Sequence, residues 1–255
     1  MTKTKKKTMT IKKMIRMPKI KNLHWVALTA TLLFLFGSIA IAQELENEFT
    51  DEFMVEGCTF KDKGNNPYFP LQPGYHLALE SDDERVEITV TQQKERIFLD
   101  GQGKASIKAR VVEERHFAAD ELVEVSRNFF AICKETGDVF YFGEEVDDYE
   151  NGEIVGHGGA WKAGINGAQP GIIMPGRFLL GSRYFQEVAP GIAMDRAENA
   201  EMNLHIQTGV GTFDNCVMVV ETTPLHPDEQ SEKTYCRGIG LVMDDEASLE
   251  EFGFG

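Results

Sequence analysis

From Tyr75 onward, apolar and polar residues alternate along the chain. Val86, Ile88 and Val90 are separated by Glu87, Thr89 and Thr91, a period of two that predicts a half-buried strand with one wet face. Ala105, Ile107, Ala109 and Val111 repeat the pattern around Ser106, Lys108 and Arg110. Ile97–Leu99 is a short apolar run, ended by the turn residues Asp100-Gly101. Leu122–Cys133 is a near-continuous run of β-formers whose mixed faces predict a bulge near Arg127. Arg183–Val188, Leu204–Val210, Thr212–Thr223 and Lys233–Val242 read as further strands. One stretch departs from the pattern. Asp195 as a cap, with Ala197, Ala200 and Leu204 on one side, predicts a short helix over 195–204.

The strongest local signal is Asn151-Gly152. This pair accepts the positive φ angles of a type I′ turn and so predicts a two-residue hairpin. Counting outward pairs Glu150 with Glu153, Tyr149 with Ile154, Val146 with His157 and Phe142 with Trp161. Phe142, Glu144, Val146, His157 and Trp161 then share one face, and Tyr141 and Tyr149 lie on the other. Gly156, Gly158 and Gly159 leave open space beside His157.

Two irregular stretches flank the strands. Cys58–Gly74 contains NNPYFPLQPG, whose prolines exclude a helix and predict an extended plug laying Tyr68, Phe69 and Leu71 against the sheet. Those aromatics serve either core packing or the lip of a ligand site. Ala163–Gly181 is rich in Gly and Pro and reads as a binding loop or lid, with Ile172, Ile173 and Met174 packing it down. Many strands with short turns predict an all-β fold, a single antiparallel curved sheet or barrel of meander type, with a Gly/Pro-rich lid and at most one or two short helices. The expected divisions are a signal peptide over 1–42, a flexible acidic tail over 43–57, one β-rich domain over 58–245 and a C-terminal tail over 246–255.

Residues 1–42 hold nine Lys or Arg and no acidic residue. Trp25–Ile41 is largely apolar, and Ala40-Ile41-Ala42 gives a small-x-small cleavage site, the order of a secretory signal peptide. An uncleaved membrane anchor is the alternative, since the apolar run approaches a spanning length. Removing the segment takes nine of 26 basic and none of 41 acidic residues, leaving 17 against 41, a net charge of −24. Such a balance repels nucleic acid and anionic membrane surfaces. It would suit a cationic ligand, or simply be a solvated acidic surface. The expected location is exported, periplasmic or extracellular, with no membrane contact after cleavage.

Four cysteines, Cys58, Cys133, Cys216 and Cys236, allow three disulfide connectivities in an exported chain. Folding the last two long strands about His226 sets Cys216 across from Cys236. That predicts Cys216–Cys236, with Cys58–Cys133 as the remainder. No CxxC or Cys/His ligand spacing is present, so no metal is expected, and no phosphate loop or dinucleotide fingerprint implies a cofactor.

The candidate chemistry is His157 beside Glu144. A carboxylate orients an imidazole and raises its basicity, a general acid–base arrangement, whereas a structurally satisfied His is the plain alternative. Phe142, Trp161, Tyr141 and Tyr184 would supply contact area for a ligand. Arg183 and Glu187 share a strand face and would either clamp a polar group or form an ion pair. No GxSxG elbow and no HExxH occurs.

The motifs NPYFPLQPG, NFFAICKETGDVFYFGEEVDDYENGEIV, GAWKAGINGAQPGIIMPG and RYFQE, which span most of 65–243, resemble a broad family of exported bacterial proteins of uncharacterised function. The resemblance implies export and a single β-rich domain, and no catalytic roles. Three functional expectations follow. The first is an exported protein binding a small, partly apolar ligand in a β-sheet pocket. The second is a secreted hydrolase or isomerase with His157 as a base oriented by Glu144. The third is a structural envelope protein without a ligand. The first is preferred because no nucleophile, metal set or cofactor motif accompanies the His.

Overall fold

Alternation and short turns produce strands almost throughout. The computed structural model describes residues 49–99 and 106–255, so the expected signal peptide, residues 43–48 of the expected acidic tail and the expected Asp100-Gly101 turn lie outside the described residues. After one 3-10 turn at Val55–Gly57 come β1 (Phe60–Lys61), β2 (Gly64–Asn65), β3 (Pro70–Leu71), β4 (Tyr75–Glu80), β5 (Glu84–Ile97) and β6 (Ile107–Ala118). They are followed by β7 (Glu121–Cys133), β8 (Val139–Glu150), β9 (Glu153–Gly156), β10 (Trp161–Lys162), β11 (Gln169–Met174) and β12 (Arg183–Phe185). The chain ends with β13 (Glu187–Val188), β14 (Arg196–Thr208), β15 (Gly211–Thr223), β16 (His226–Cys236), β17 (Gly240–Asp244) and β18 (Ala247–Phe254).

All but β2 and β3 belong to one 16-stranded sheet, ordered β12-β14-β15-β16-β17-β18-β4-β5-β6-β7-β8-β11-β13, with β1 on β7 and with β9 and β10 on β8. The two ends of that order, β12 and β13, are one stretch of chain interrupted at Gln186. Tyr184 pairs with Ala197 on one side and Glu187 with Pro170 on the other, so the sheet comes close to closing on itself as an antiparallel barrel. Closure removes the exposed edges that a flat sheet of this size would carry.

The Asn151-Gly152 turn has both residues at positive φ, 53° and 79°, and pairs Glu150 with Glu153 and Tyr149 with Ile154. Cys216 pairs directly with Cys236, and both disulfides, Cys216–Cys236 and Cys58–Cys133, are formed.

Four expectations are corrected. Residues 196–208 form a strand rather than a helix, because β12 and β15 hydrogen-bond both of its edges. Ala197 and Asn199 are buried on one side while Glu198 reaches Arg183 on the other, a period of two. The Gly/Pro-rich stretch is a barrel stave over Gln169–Met174 rather than a lid, and Gly171 is required there because a Cβ would lie 2.3 Å from the Phe185 carbonyl oxygen. The C-terminal stretch is β18, paired along β4, with Ala247 and Leu249 buried. Phe49–Gly57 is laid on the barrel as well: Thr50 bridges Tyr184, and Phe53 packs edge-on to Phe140 at 6.0 Å.

That N-terminal strap gives the barrel an outer layer. Phe60 meets Phe140 and Phe142 edge-on at 5.3 and 5.2 Å, and Cys58–Cys133 pins the strap to β7. The Pro-rich stretch plugs one end. Phe69 packs edge-on to Phe130 at 5.1 Å and Leu71 is fully buried. The buried Asn66 amide holds the plug by donating to the carbonyls of Gly137 and Pro175 at 2.9 and 3.0 Å.

Candidate functional site

Inside the barrel lies a chamber of about 270 Å³. Its wall is built by the period of two. Along β7 the inward residues are Glu124, Ser126, Asn128 and Phe130, beside Val112 and Glu114 of β6 and Ile88 and Val90 of β5. Polarity changes along the axis. Phe69, Pro70, Leu77, Phe130 and Leu241 make an apolar end at the plug. Glu124 is six residues from Phe130 on β7, roughly 20 Å along the strand. Glu114, Glu124, Glu144, Glu187, Asp195 and Glu221 face the chamber, with Lys233 as the one lysine among its walls.

Glu144 reaches this interior through a bulge. Asn128 pairs with Glu144 and Phe130 pairs with Tyr141, so β8 spends three steps where β7 spends two. Gly143 takes the extra step at φ 136°, and a Cβ there would lie 2.5 Å from the Trp161 carbonyl oxygen. The bulge turns Glu144 to the side that Tyr141 already faces. A polar chain runs along the wall: Asn128 Nδ2 donates to Ser126 Oγ at 3.0 Å, and the Tyr141 hydroxyl donates to Asn128 Oδ1 at 2.5 Å. A phenol carries one O–H, so Tyr141 donates either to Asn128 or to the Glu144 carboxylate at any one time.

Burial pushes the Glu144 carboxyl up to about 7, with Tyr141 opposing the shift and Glu124, Glu114 and Asp195 adding to it. Glu187, 2% exposed, is pushed well up by burial and by neighbouring Asp195, whose backbone N–H bonds its Oε1 at 2.8 Å. Burial also raises Glu124 and Glu221. Burial would lower Lys233, but Glu221 and Asp244 outweigh it, and Nζ lies 3.0 Å from Asp244 Oδ2 and 3.8 Å from Glu221 Oε2. Burial would raise Glu114, but His116 at 2.6 Å holds it low; in return the Glu114 hydrogen bond raises His116.

The residues singled out from sequence divide. Tyr141, Glu144 and Glu187 meet at the chamber. Trp161 packs edge-on to Tyr141 at 5.2 Å and, with Glu144, lines a second pocket of about 280 Å³; its Nε1 has no hydrogen-bond partner among the described residues. Phe142 is fully buried on the outer side, under Phe60. Tyr184 is buried in the wall, its hydroxyl donating to Asn199 Oδ1 at 3.0 Å. Arg183 lies on the surface, 2.9 Å from Glu198, and does not share a clamp with Glu187.

The pairing of His157 with Glu144 is corrected. The hairpin register slips by one between Tyr149–Ile154 and Asp148–Gly156. A one-residue slip exchanges the faces of a strand. His157 therefore stands on the outside, 67% exposed, with Nδ1 3.1 Å from Asp147 Oδ1 and 2.7 Å from the Val146 carbonyl oxygen. Trp161, one residue further out of step, pairs with Glu144 and not with Phe142.

Glu114, Glu124, Ser126, Asn128, Glu221, Lys233 and Tyr235 were not anticipated at the site. The available signal was the in-phase run Glu124-Ser126-Asn128 opposite Val125-Arg127-Phe129, but alternation alone does not tell which face is inner when both are covered. Set against known proteins, the chain matches no family model, no curated protein and no solved structure.

Proposed function

We propose that this is an exported binding protein that holds a small, partly apolar ligand inside its barrel. The chamber carries the reading: one continuous cavity with an apolar end at Phe69 and Phe130 and a polar end at Glu124, Glu144 and Glu187. Concave, mostly apolar sites with a few convergent polar groups are the usual form of small-molecule sites. Two disulfides support an oxidising compartment, the periplasm or cell exterior, as do the basic-then-apolar start of the chain and its motif resemblance to exported bacterial proteins. Native mass spectrometry of protein purified from its host tests the reading. The expected result is a small-molecule adduct that disappears when Ser126→Trp fills the chamber. Retention of the adduct by the folded variant, or no adduct together with no thermal shift from a metabolite panel, overturns it.

One observation favours a second reading. A carboxyl raised to about 7 beside a phenol is suited to moving protons at neutral pH, as an isomerase or hydrolase requires. Turnover of any panel compound, lost in Glu144→Gln with binding retained, would select this reading over simple binding.

A further inference from the structure

We infer that the ligand is an organic cation, an arylalkyl or alkyl primary amine, whose ammonium sits among Glu144, Glu187 and Tyr235 and whose apolar body lies against Phe69 and Phe130. The inference rests on the reading of the barrel as a ligand chamber and adds the chemical class.

The first argument is charge. The basic groups at the chamber already have partners: Lys233 is held by Asp244 and Glu221, and His116 by Glu114. Glu124, Glu144, Glu187 and Asp195 have no ion-pair partner among the described residues. Carboxylates removed from water without a counter-charge are costly, and a cation entering the chamber would offset that cost.

The second argument is independent of the acids. Tyr235 is 5% exposed and faces the chamber, and its hydroxyl has no hydrogen-bond partner among the described residues. Buried hydroxyls normally have partners. An ammonium brings three donors and no acceptor, so it can satisfy a phenol oxygen and two carboxylates together.

The third argument separates an organic cation from a metal ion. Among the described residues, the one group of three possible ligand residues whose atoms converge within 4.8 Å is Cys58, Cys133 and Glu135, two of which form a disulfide. No three of the chamber acids bring their oxygens that close, so at most two carboxylates meet at one point among the described residues. Metal–oxygen bonds of about 2.0–2.6 Å need convergence. An ammonium, with three N–H donors on one nitrogen, is served by two carboxylates and a phenol oxygen.

Length sets the size of the ligand. Glu144 lies opposite Asn128, two residues from Phe130 on β7. That is about 7 Å along the strand, the span of an aromatic ring with a two-carbon amine.

Calorimetric titration of the full-length protein at about pH 8 with phenethylamine, 2-phenylethanol and 3-phenylpropanoate tests the inference. A charge-assisted hydrogen bond in a buried site predicts that the amine binds at least about tenfold tighter than the alcohol, and that the carboxylate does not bind. Glu144→Gln should abolish the preference for the amine, with Glu187→Gln as the second variant should the first not fold. Alcohol binding equal to amine binding overturns the cation while leaving the chamber reading in place. Amine binding unchanged in both folded variants overturns it by placing the ammonium elsewhere. Binding by none of the three at millimolar concentration also overturns it, and a host-derived adduct then decides separately whether the chamber holds something else.

Discussion

Tyr141 and Glu144 stand three positions apart on β8 yet face the same interior, because Gly143 absorbs the odd residue in a bulge. The arrangement places an acid that resists ionisation beside a phenol that also donates to Asn128. It also makes the stability of the empty barrel depend on pH. The folded-state carboxyl titrates near 7 against an ordinary value of 4.5. Below about pH 4.5 both folded and unfolded states are protonated and nothing is lost. As pH rises through about 7 the folded state must ionise a buried group, and stability falls. At full effect the loss is about 3 kcal/mol. The like charges of Glu124, Glu114 and Asp195 and the Tyr141 phenol surround the group, and the raised Glu124, Glu187 and Glu221 act in the same direction. Thermal unfolding should therefore show a lower Tm at about pH 8 than at about pH 5. Glu144→Gln should raise the Tm at the higher pH and shrink the difference. An unchanged pH profile in that variant would remove Glu144 as its source.

Gly143 cannot be replaced without moving a neighbour. Its φ of 136° disfavours any side chain, and a Cβ would lie 2.5 Å from the Trp161 carbonyl oxygen and 2.8 Å from Lys162 Cα. Gly143→Ala should cost about 1–3 kcal/mol and loosen β10 from β8. Trp161 is buried at the end of that contact, so its fluorescence should shift to the red as the indole meets water. An unshifted spectrum with wild-type stability would show that the bulge tolerates a side chain.

His157 provides the opposite case. Its ring is mostly exposed and reaches only Asp147 and the Val146 carbonyl. Asp147 keeps two hydrogen bonds from Arg127, both at 2.9 Å, when the imidazole is gone. His157→Ala should change stability by less than about 1 kcal/mol, as exposed ion pairs do, and should leave ligand binding unchanged. A large loss in denaturant melts, or lost binding, would return this residue to the interior.

The hairpin shows what the sequence could and could not convey. Asn151-Gly152 specified the turn and its first two pairs, because the positive φ angles of a type I′ turn are a local property. Two slips then displaced the register, one between Tyr149 and Asp148 and one between Gly156 and Trp161, where residues 157–160 leave the ladder. Such slips depend on packing beyond the turn, so counting residues carried His157 to the wrong face and paired Trp161 with Phe142. The same limit hid the chamber. Phe140 and Phe142 face outward under Phe53 and Phe60, so both sides of β8 are apolar and alternation loses its meaning. Residues 196–208 carry Ala, Glu, Met and Leu, all good helix formers, but two neighbouring strands satisfy the backbone and override that preference. Cys216 falls opposite Cys236 because the one register shift, between Thr222 and Thr223, sets Thr222 against Gln230, and the ladder is regular from there to the bridge.

The two disulfides should contribute unequally. Cys58–Cys133 closes a loop of 75 residues and Cys216–Cys236 one of 20. Restricting the unfolded chain predicts about 4.5 kcal/mol for the first and about 3 kcal/mol for the second. Cys216 and Cys236 already oppose each other in a long antiparallel ladder, whereas Cys58 joins β7 through the two-residue β1 alone. Losing the longer bridge should therefore also release the strap that covers Phe140 and Phe142, exposing apolar surface to a dye that binds it. Denaturant unfolding of Cys58→Ser/Cys133→Ser should show the larger drop in midpoint together with increased dye binding, and Cys216→Ser/Cys236→Ser the smaller drop without it. The reverse order would mean that the strap is held by its aromatic contacts and not by the covalent link.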